Sequence, residues 1–300
     1  MALRKQSAAR PHLACEITLD RVIVARASDQ MPRLDAYTSR KLNPGVIAPG
    51  LSGQNVVDGQ ALRTAISGGL ASVAGKSRDV IVIVPDAAVR VLLLDFDSLP
   101  SSPQETEPVI RFRMKKSLPF DVDQAAISYE VRRSNGNVHA VAAVSPRTIV
   151  EEYEAAFRDA GYTPSVVVPS ALAALGLVEG DRPTLMVKVD PLNITIIAAE
   201  HQELRLVRTL ENPRGTDVTA AELAEAVLPS LVFFEDTFAA HVEQIYVGGI
   251  VPTRELAPLL EQQTHAKVLE LAPQLSSEQN ISGETVPPSM MAGIVGALLG

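Results

Sequence analysis

Apolar positions fall along the chain in short runs that alternate with amphipathic stretches, the pattern of an α/β protein. Residues 13–17 and 22–27 flank Leu19-Asp20-Arg21 and read as two strands around a tight turn, with a third strand over 34–39. The segment 43–55 carries Pro44, Gly45, Pro49, Gly50 and Gly53 and reads as a loop. Leu62, Ile66, Leu70 and Val73 then recur at helical spacing, between the candidate N-cap Asp58 and the stop residue Gly75. Strands are expected at 80–84 and 89–94, and a helix over 103–117 with Val109, Ile110 and Met114 inward. A hairpin follows at 125–132 and 138–144 around Asn135-Gly136, then a helix over 146–160, a strand at 165–168 and a small-residue helix at 170–175.

After a linker at 179–183 the opening pattern starts again. Strands are expected at 185–189, 194–198 and 204–209, a long helix over 217–239 and a strand at 245–247. A helix over 252–263, a strand at 267–271, a loop-like stretch at 271–285 and a terminal helix over 290–299 complete the chain.

An apolar share of 46% is ample for a buried core, so this is a globular chain. Net charge is −8 and uneven: residues 1–190 carry +1, whereas 191–300 carry −9. The basic footprint of a nucleic-acid binder is missing, and nucleic acid is excluded as a partner. The single Cys15 cannot form an internal bridge and sits in an apolar run, as a small buried hydrophobe in a reducing compartment would. Met1–Ser7 reaches no apolar stretch before Arg10, so a secretory leader is not expected. The uncharged stretches 161–178 and 286–300 do not read as spans, because the first carries Pro164 and Pro169 and the second is too short.

Few motifs carry chemistry. The segment from Gly69 to Ser77 resembles a phosphate loop, but five residues separate its glycines where four are needed, and a helix precedes Gly75. A C-cap glycine beside Lys76 accounts for it. The five histidines have no metal-ligand spacing, and no serine or cysteine hydrolase motif occurs, so neither a metal nor a catalytic residue is expected. Arg111, Arg113, Lys115 and Lys116 precede Leu118-Pro119-Phe120. Two readings stand for them: a solvated basic face balanced by Asp121 and Asp123, or a peptide-docking surface combining charge with an aromatic anchor. Gly248-Gly249 joins a strand to a helix, either as a tight turn or where a nucleotide approaches the backbone.

The central third carries a more specific pattern: Val84-Pro-Asp-Ala-Ala-Val-Arg-Val91, Leu94-Asp-Phe-Asp-Ser-Leu-Pro100 and Ile110-Arg-Phe-Arg-Met-Lys-Lys-Ser-Leu-Pro-Phe-Asp-Val-Asp123. With Phe157–Pro164 and Tyr246-Val-Gly-Gly249, it resembles the type IV pilus assembly protein PilM family, itself similar to the cell-division protein FtsA. The resemblance implies an α/β, actin-like (ribonuclease-H-like) fold of two halves around a nucleotide cleft. An FtsA-type αβ subdomain would be inserted and the second half trimmed. Expected divisions are 12–89 for the first subdomain, 90–163 for the insertion, 164–180 for a return helix and linker, and 181–300 for the second half.

Family members bind ATP with Mg²⁺ through an Asp-Ile-Gly-type turn in each half and a glycine pair. Here Thr18 takes the first glycine position and Ile23 the usual lysine position, while Lys188 replaces an acidic residue and Asp190 the second glycine. Only Gly248 and Gly249 are kept. The expectation is a degenerate nucleotide site in a non-enzymatic scaffold; an ATP-binding switch, with Lys188 serving phosphate as a point charge, is the alternative. The resemblance further implies a cytoplasmic protein, peripheral at the inner membrane through its partners. Those partners would be the N-terminal peptide of PilN and other inner-membrane platform proteins of a pilus or type II secretion machine. Arg111, Arg113, Lys116, Leu118, Pro119 and Phe120 fall in the region expected to dock the PilN peptide.

Overall fold

A computed structural model describes residues 10–28, 33–134, 137–179, 181–271, 280–282 and 284–299. Two sheets repeat one topology. In the first, β1 (Leu13–Ile17), β2 (Arg21–Ala27) and β3 (Leu34–Lys41) form an antiparallel meander. Helix α1 (Gly59–Val73) crosses over to β4 (Asp79–Val84), which pairs parallel to β1. Asp58 caps α1 by accepting from the Ala61 N–H, and Leu62, Ile66, Leu70 and Val73 form its buried stripe.

Before that sheet is completed, the chain builds a separate module. Its strands β5 (Arg90–Phe96), β6 (Ala125–Ser134) and β7 (Asn137–Pro146) lie in the order β5-β7-β6, with α2 (Pro103–Met114) on one face. Ile110 and Met114 of α2 pack there on Leu94, Ala140, Ala142 and Val144. The turn expected at Asn135-Gly136 lies outside the described residues, but the register closes on Ser134 opposite Asn137, as a two-residue hairpin requires. Helix α3 (Arg147–Asp159) then leads to β8 (Thr163–Pro169), parallel to β4. Although α3 was expected within the insertion at 90–163, Ile149, Tyr153 and Phe157 join the core under α1, so it belongs to the first sheet.

After α4 (Ser170–Ala174) the topology repeats with β9 (Thr184–Val189), β10 (Asn193–Glu200), β11 (Glu203–Glu211), α5 (Ala220–Phe238), β12 (Gln244–Gly249), α6 (Thr253–Thr264) and β13 (Lys267–Glu270). The strand order β11-β10-β9-β12-β13 mirrors β3-β2-β1-β4-β8. Strands β1, β4, β9 and β12 are mostly apolar because helices cover both of their faces, and Glu16 in β1 and Lys188 in β9 are charges buried within them. No helix among the described residues is long and apolar enough to cross a membrane.

The end of the chain departs from the expected second half, 181–300. A strand within the stretch read as loop, β14 (Asn280–Ser282), pairs parallel to β3 of the first sheet. Helix α7 (Ala292–Leu299) packs Ile294, Val295 and Leu298 on Ala14, Ile23, Ala25, Ile81 and Ile83. Ala292 also joins α4 and the second sheet through Ala171, Met186, Ile197 and Tyr246, so α4 and α7 fill the layer between the two sheets. The helix is apolar all round because nearly all of it is buried.

Truncating Ile294 to alanine should cost about 2–5 kcal/mol by emptying this layer. Native-state hydrogen exchange should show the lost protection in β1, β2 and β4; a loss confined to the second sheet would contradict the packing of α7.

Candidate functional site

The β1–β2 and β9–β10 turns face each other at the centre of the cleft, and their sequences determine what it can hold. At the first turn the Thr18 N–H donates to the Arg21 carbonyl at 2.9 Å, and the Thr18 hydroxyl turns back onto Asp20 at 3.0 Å. Arg21 grips the same Asp20 carboxylate at 2.7 and 3.0 Å, and Ile23 is fully buried. At the second turn the Asp190 N–H is bonded to the Asn193 carbonyl, and Pro191 has no N–H to offer. In each turn the amide at the position of the expected glycine is thus already bonded within the turn.

Between the turns lies Lys188, only 3% exposed, its ammonium 2.6 and 2.5 Å from the two Asp190 oxygens. Two carboxylates not singled out from the sequence complete the cluster. Glu16, at the end of β1, accepts from the Ser170 hydroxyl, while its Oε2 has no hydrogen-bond partner in the structure. Asp86, just after β4, accepts from the Ala171 N–H at 2.8 Å and from the Thr195 hydroxyl of β10 at 3.0 Å, tying both halves and α4 together. Local sequence signals for them were thin: a charge ending an apolar strand, and an Asp after a Pro.

Burial drives the electrostatics. It pushes the Glu16 carboxyl up to about 7 against the opposing pull of Lys188 and Ser170, and Asp86 up to about 6 against Lys188. Burial also opposes the charge on Lys188, but Asp190, Asp86 and Glu16 outweigh it and hold its pKa above the ordinary value. Glycine is required opposite the cluster: a Cβ at Gly293 of α7 would lie 2.7 Å from both Glu16 Oε1 and Ser170 Oγ.

The space left among Glu16, Thr18, Asp86, Ser170, Lys188 and Asp190 is about 20 Å³, room for a single water. Gly248 and Gly249 are not open to it. A Cβ at Gly249, where φ is +104°, would overlap the Val189 carbonyl, and one at Gly248 would meet Leu271 at 3.0 Å. The pair serves strand packing. The structure thus brings Thr18, Lys188 and Asp190 together and keeps the glycines behind them. A carboxylate at position 190, a proline without an N–H beside it and three carboxyl groups around one ammonium do not suit the phosphates of Mg²⁺-ATP.

The expected docking residues lie elsewhere. Arg111 is held internally, by Glu107 and by the carbonyls of Val122 and Ala125, and Leu118 and Phe120 pack partly into the module core. Arg113, Lys116 and Pro119 are exposed beside the 80%-exposed Phe112, and none of these seven residues lines the groove described next. A groove of about 1070 Å³ opens over the other face of the module sheet. Val141 and Ala143 form its floor, Leu172, Leu175 and Val178 one wall, and Leu204 of β11 the other. Arg132 bridges the groove to the Gln202 carbonyl at 2.5 Å.

Comparison with family models gives no match, and comparison with curated proteins gives none. Solved structures do match. A chain of the PilM–PilN type IV pilus biogenesis complex superposes with a TM-score of 0.81 at 20% identity, covering 97% of this chain and 98% of that one. The cytoplasmic domain of EpsL, an inner-membrane component of the type II secretion system of Vibrio cholerae, matches at 0.56 and 10% identity, over 96% of this chain and 94% of its own. The ethanolamine utilization protein EutJ of Carboxydothermus hydrogenoformans matches at 0.52 and 10%, over 96% and 89%. The fold is actin-like, as the duplicated topology requires.

Folded Glu16 binds its proton more readily than the unfolded chain, so the folded state carries more protons between about 4.5 and about 7, and stability falls as pH rises through that window. Asp86 adds a change of the same sign between about 3.8 and about 6. Urea unfolding at several pH values should show Glu16→Gln flattening the slope by on the order of 1 kcal/mol per pH unit. A slope equal to wild type would mean that Glu16 is ionised when folded.

Proposed function

We propose that the chain is an actin-like scaffold of type IV pilus or related type II secretion assembly. It works in the cytoplasm, peripheral to the inner membrane, and docks the N-terminal cytoplasmic peptide of a PilN-type protein. The observation that carries this reading is the groove where three bodies meet: the inserted module, the α4 region of the first half and β11 of the second. The likeness to a chain of the PilM–PilN complex supports the partner, and the likeness to the EpsL domain supports the membrane-proximal setting.

The groove suits an extended peptide. Its lining alternates apolar side chains with Glu130, Arg132 and Arg205, so a chain with outward and inward residues finds both kinds of contact. Strand β6 is an edge of the module sheet, and residues 127–133 border the groove, so their outer backbone groups can pair with an added strand. Strand β11 rests on β5 at the opposite edge, which leaves the β6–β7 side open. No bond is made or broken in this role. The degenerate cleft is part of the same proposal: a scaffold that stays docked without hydrolysis needs no nucleotide.

Isothermal titration of the cognate PilN N-terminal peptide tests the site. Val141→Glu and Leu204→Glu, each placing a charge on a half-buried groove position, should weaken binding by on the order of tenfold or more. The double variant Arg113→Glu/Lys116→Glu should stay within about threefold of wild type, as exposed charges outside an interface do. The opposite ranking would move docking to the basic end of α2, and no binding by the wild type would remove the reading.

A further inference from the structure

The cleft holds a buried charge cluster that the docking reading does not use. Lys188 comes from β9 of the second half, as does Asp190 from the turn after it; Glu16 and Asp86 come from the first half. All four line one small cavity, and three of them are 5% exposed or less. A lone buried ammonium or carboxylate is costly, and it is tolerated where opposite charges and hydrogen bonds surround it. Each member has such support: Asp190 on Lys188, Ser170 on Glu16, Ala171 and Thr195 on Asp86.

In an actin-like fold the two turns close on a ligand that carries its own cation, and the residues here do not fit that ligand. We infer that Lys188 takes its place: its ammonium, paired with Asp190, is the resident cation of the cleft and faces the Glu16 and Asp86 carboxyls of the first half across one small cavity, so the halves stay closed without nucleotide or metal. Separating the halves would take the Lys188 ammonium away from Asp86 on the far side of the cavity, which is costly in a dry interface, so the closed state is the resting state. The hydrogen bond from Thr195 to Asp86 spans the same junction and would break with it. Position 188 must be a cation, because the neighbouring carboxylates outnumber all other charges at this point. This inference does not depend on where a peptide docks, and its failure would leave the groove untouched.

Hydrogen exchange of the full-length protein, read by mass spectrometry over 14–21, 84–88, 168–174 and 186–195, tests it with and without millimolar Mg²⁺-ATP. The wild type should exchange identically in both conditions. Lys188→Met should exchange faster in these four segments, on the order of tenfold or more as one partner of a buried pair is lost, while α1 and α5 keep their protection. Asp86→Asn, which keeps a polar side chain at the junction but removes the first-half charge that faces Lys188, should show the same change to a smaller extent, and it decides the matter if Lys188→Met does not fold. Protection gained by the wild type on adding Mg²⁺-ATP would show that a ligand, not Lys188, closes the cleft. Wild-type exchange at the cleft in a folded Lys188→Met, or in Asp86→Asn, would equally overturn it.

Discussion

An ammonium group buried between two sheets sets the terms for the centre of this molecule. Lys188 sits at the end of a strand whose every residue is buried, where a charge is tolerated only if its counter-charges come to it. Asp190 reaches back from the adjacent turn, Glu16 ends the facing strand and Asp86 follows the next one. Each of those groups then constrains something further out. Glu16 needs a glycine on α7, and Asp86 fixes the start of α4 by accepting from its backbone. Replacing such clusters by apolar side chains is often neutral for stability, so what this one supplies is a specific relation between the halves rather than a large net stabilisation.

That relation has consequences at a distance. The groove has no wall of its own: its floor is the module sheet, and its sides come from the α4 region and from β11. Its width therefore depends on how the halves sit, and the bond from Arg132 to the Gln202 carbonyl crosses the same divide. A cleft kept closed by its own side chains gives a groove of constant shape. A partner peptide would then meet a preformed site and would not have to supply the free energy of closure. A nucleotide switch would need a ligand with different affinity for two states, and the Asp190 carboxylate and Pro191 at the second turn do not suit a phosphate.

The C-terminal segment reinforces this arrangement. Strand β14 extends the first sheet and α7 fills the layer between the sheets, so the chain finishes in the half where it began. The Ser289 hydroxyl bonds the Gly249 carbonyl on the way, pinning the return path to the second sheet as well. The halves are thus joined through packing, through the chain itself and through the hydrogen bond from Thr195 to Asp86.

Local pattern alone determined most of the secondary structure. The periodicity of Leu62, Ile66, Leu70 and Val73 gave α1, and the strand-turn-strand openings at 13–27 and 185–209 exposed the duplication, because side-chain period and turn chemistry are properties of short segments. The replaced residues Thr18, Lys188 and Asp190 were visible too, but only through the family resemblance, which says what each turn would otherwise carry. What each faces was not, for contacts between residues 16, 86 and 188 depend on how two sheets stack. The same holds for α7: an all-apolar helix announces burial but not the surface that buries it. It holds equally for α3, which follows the module in sequence yet packs on the first sheet. The groove is the extreme case, built from positions more than a hundred residues apart whose local sequences look like ordinary strand and helix. Sequence therefore settled the elements and the chemistry available at the turns, while tertiary packing decided which charges meet and where a partner finds an open surface.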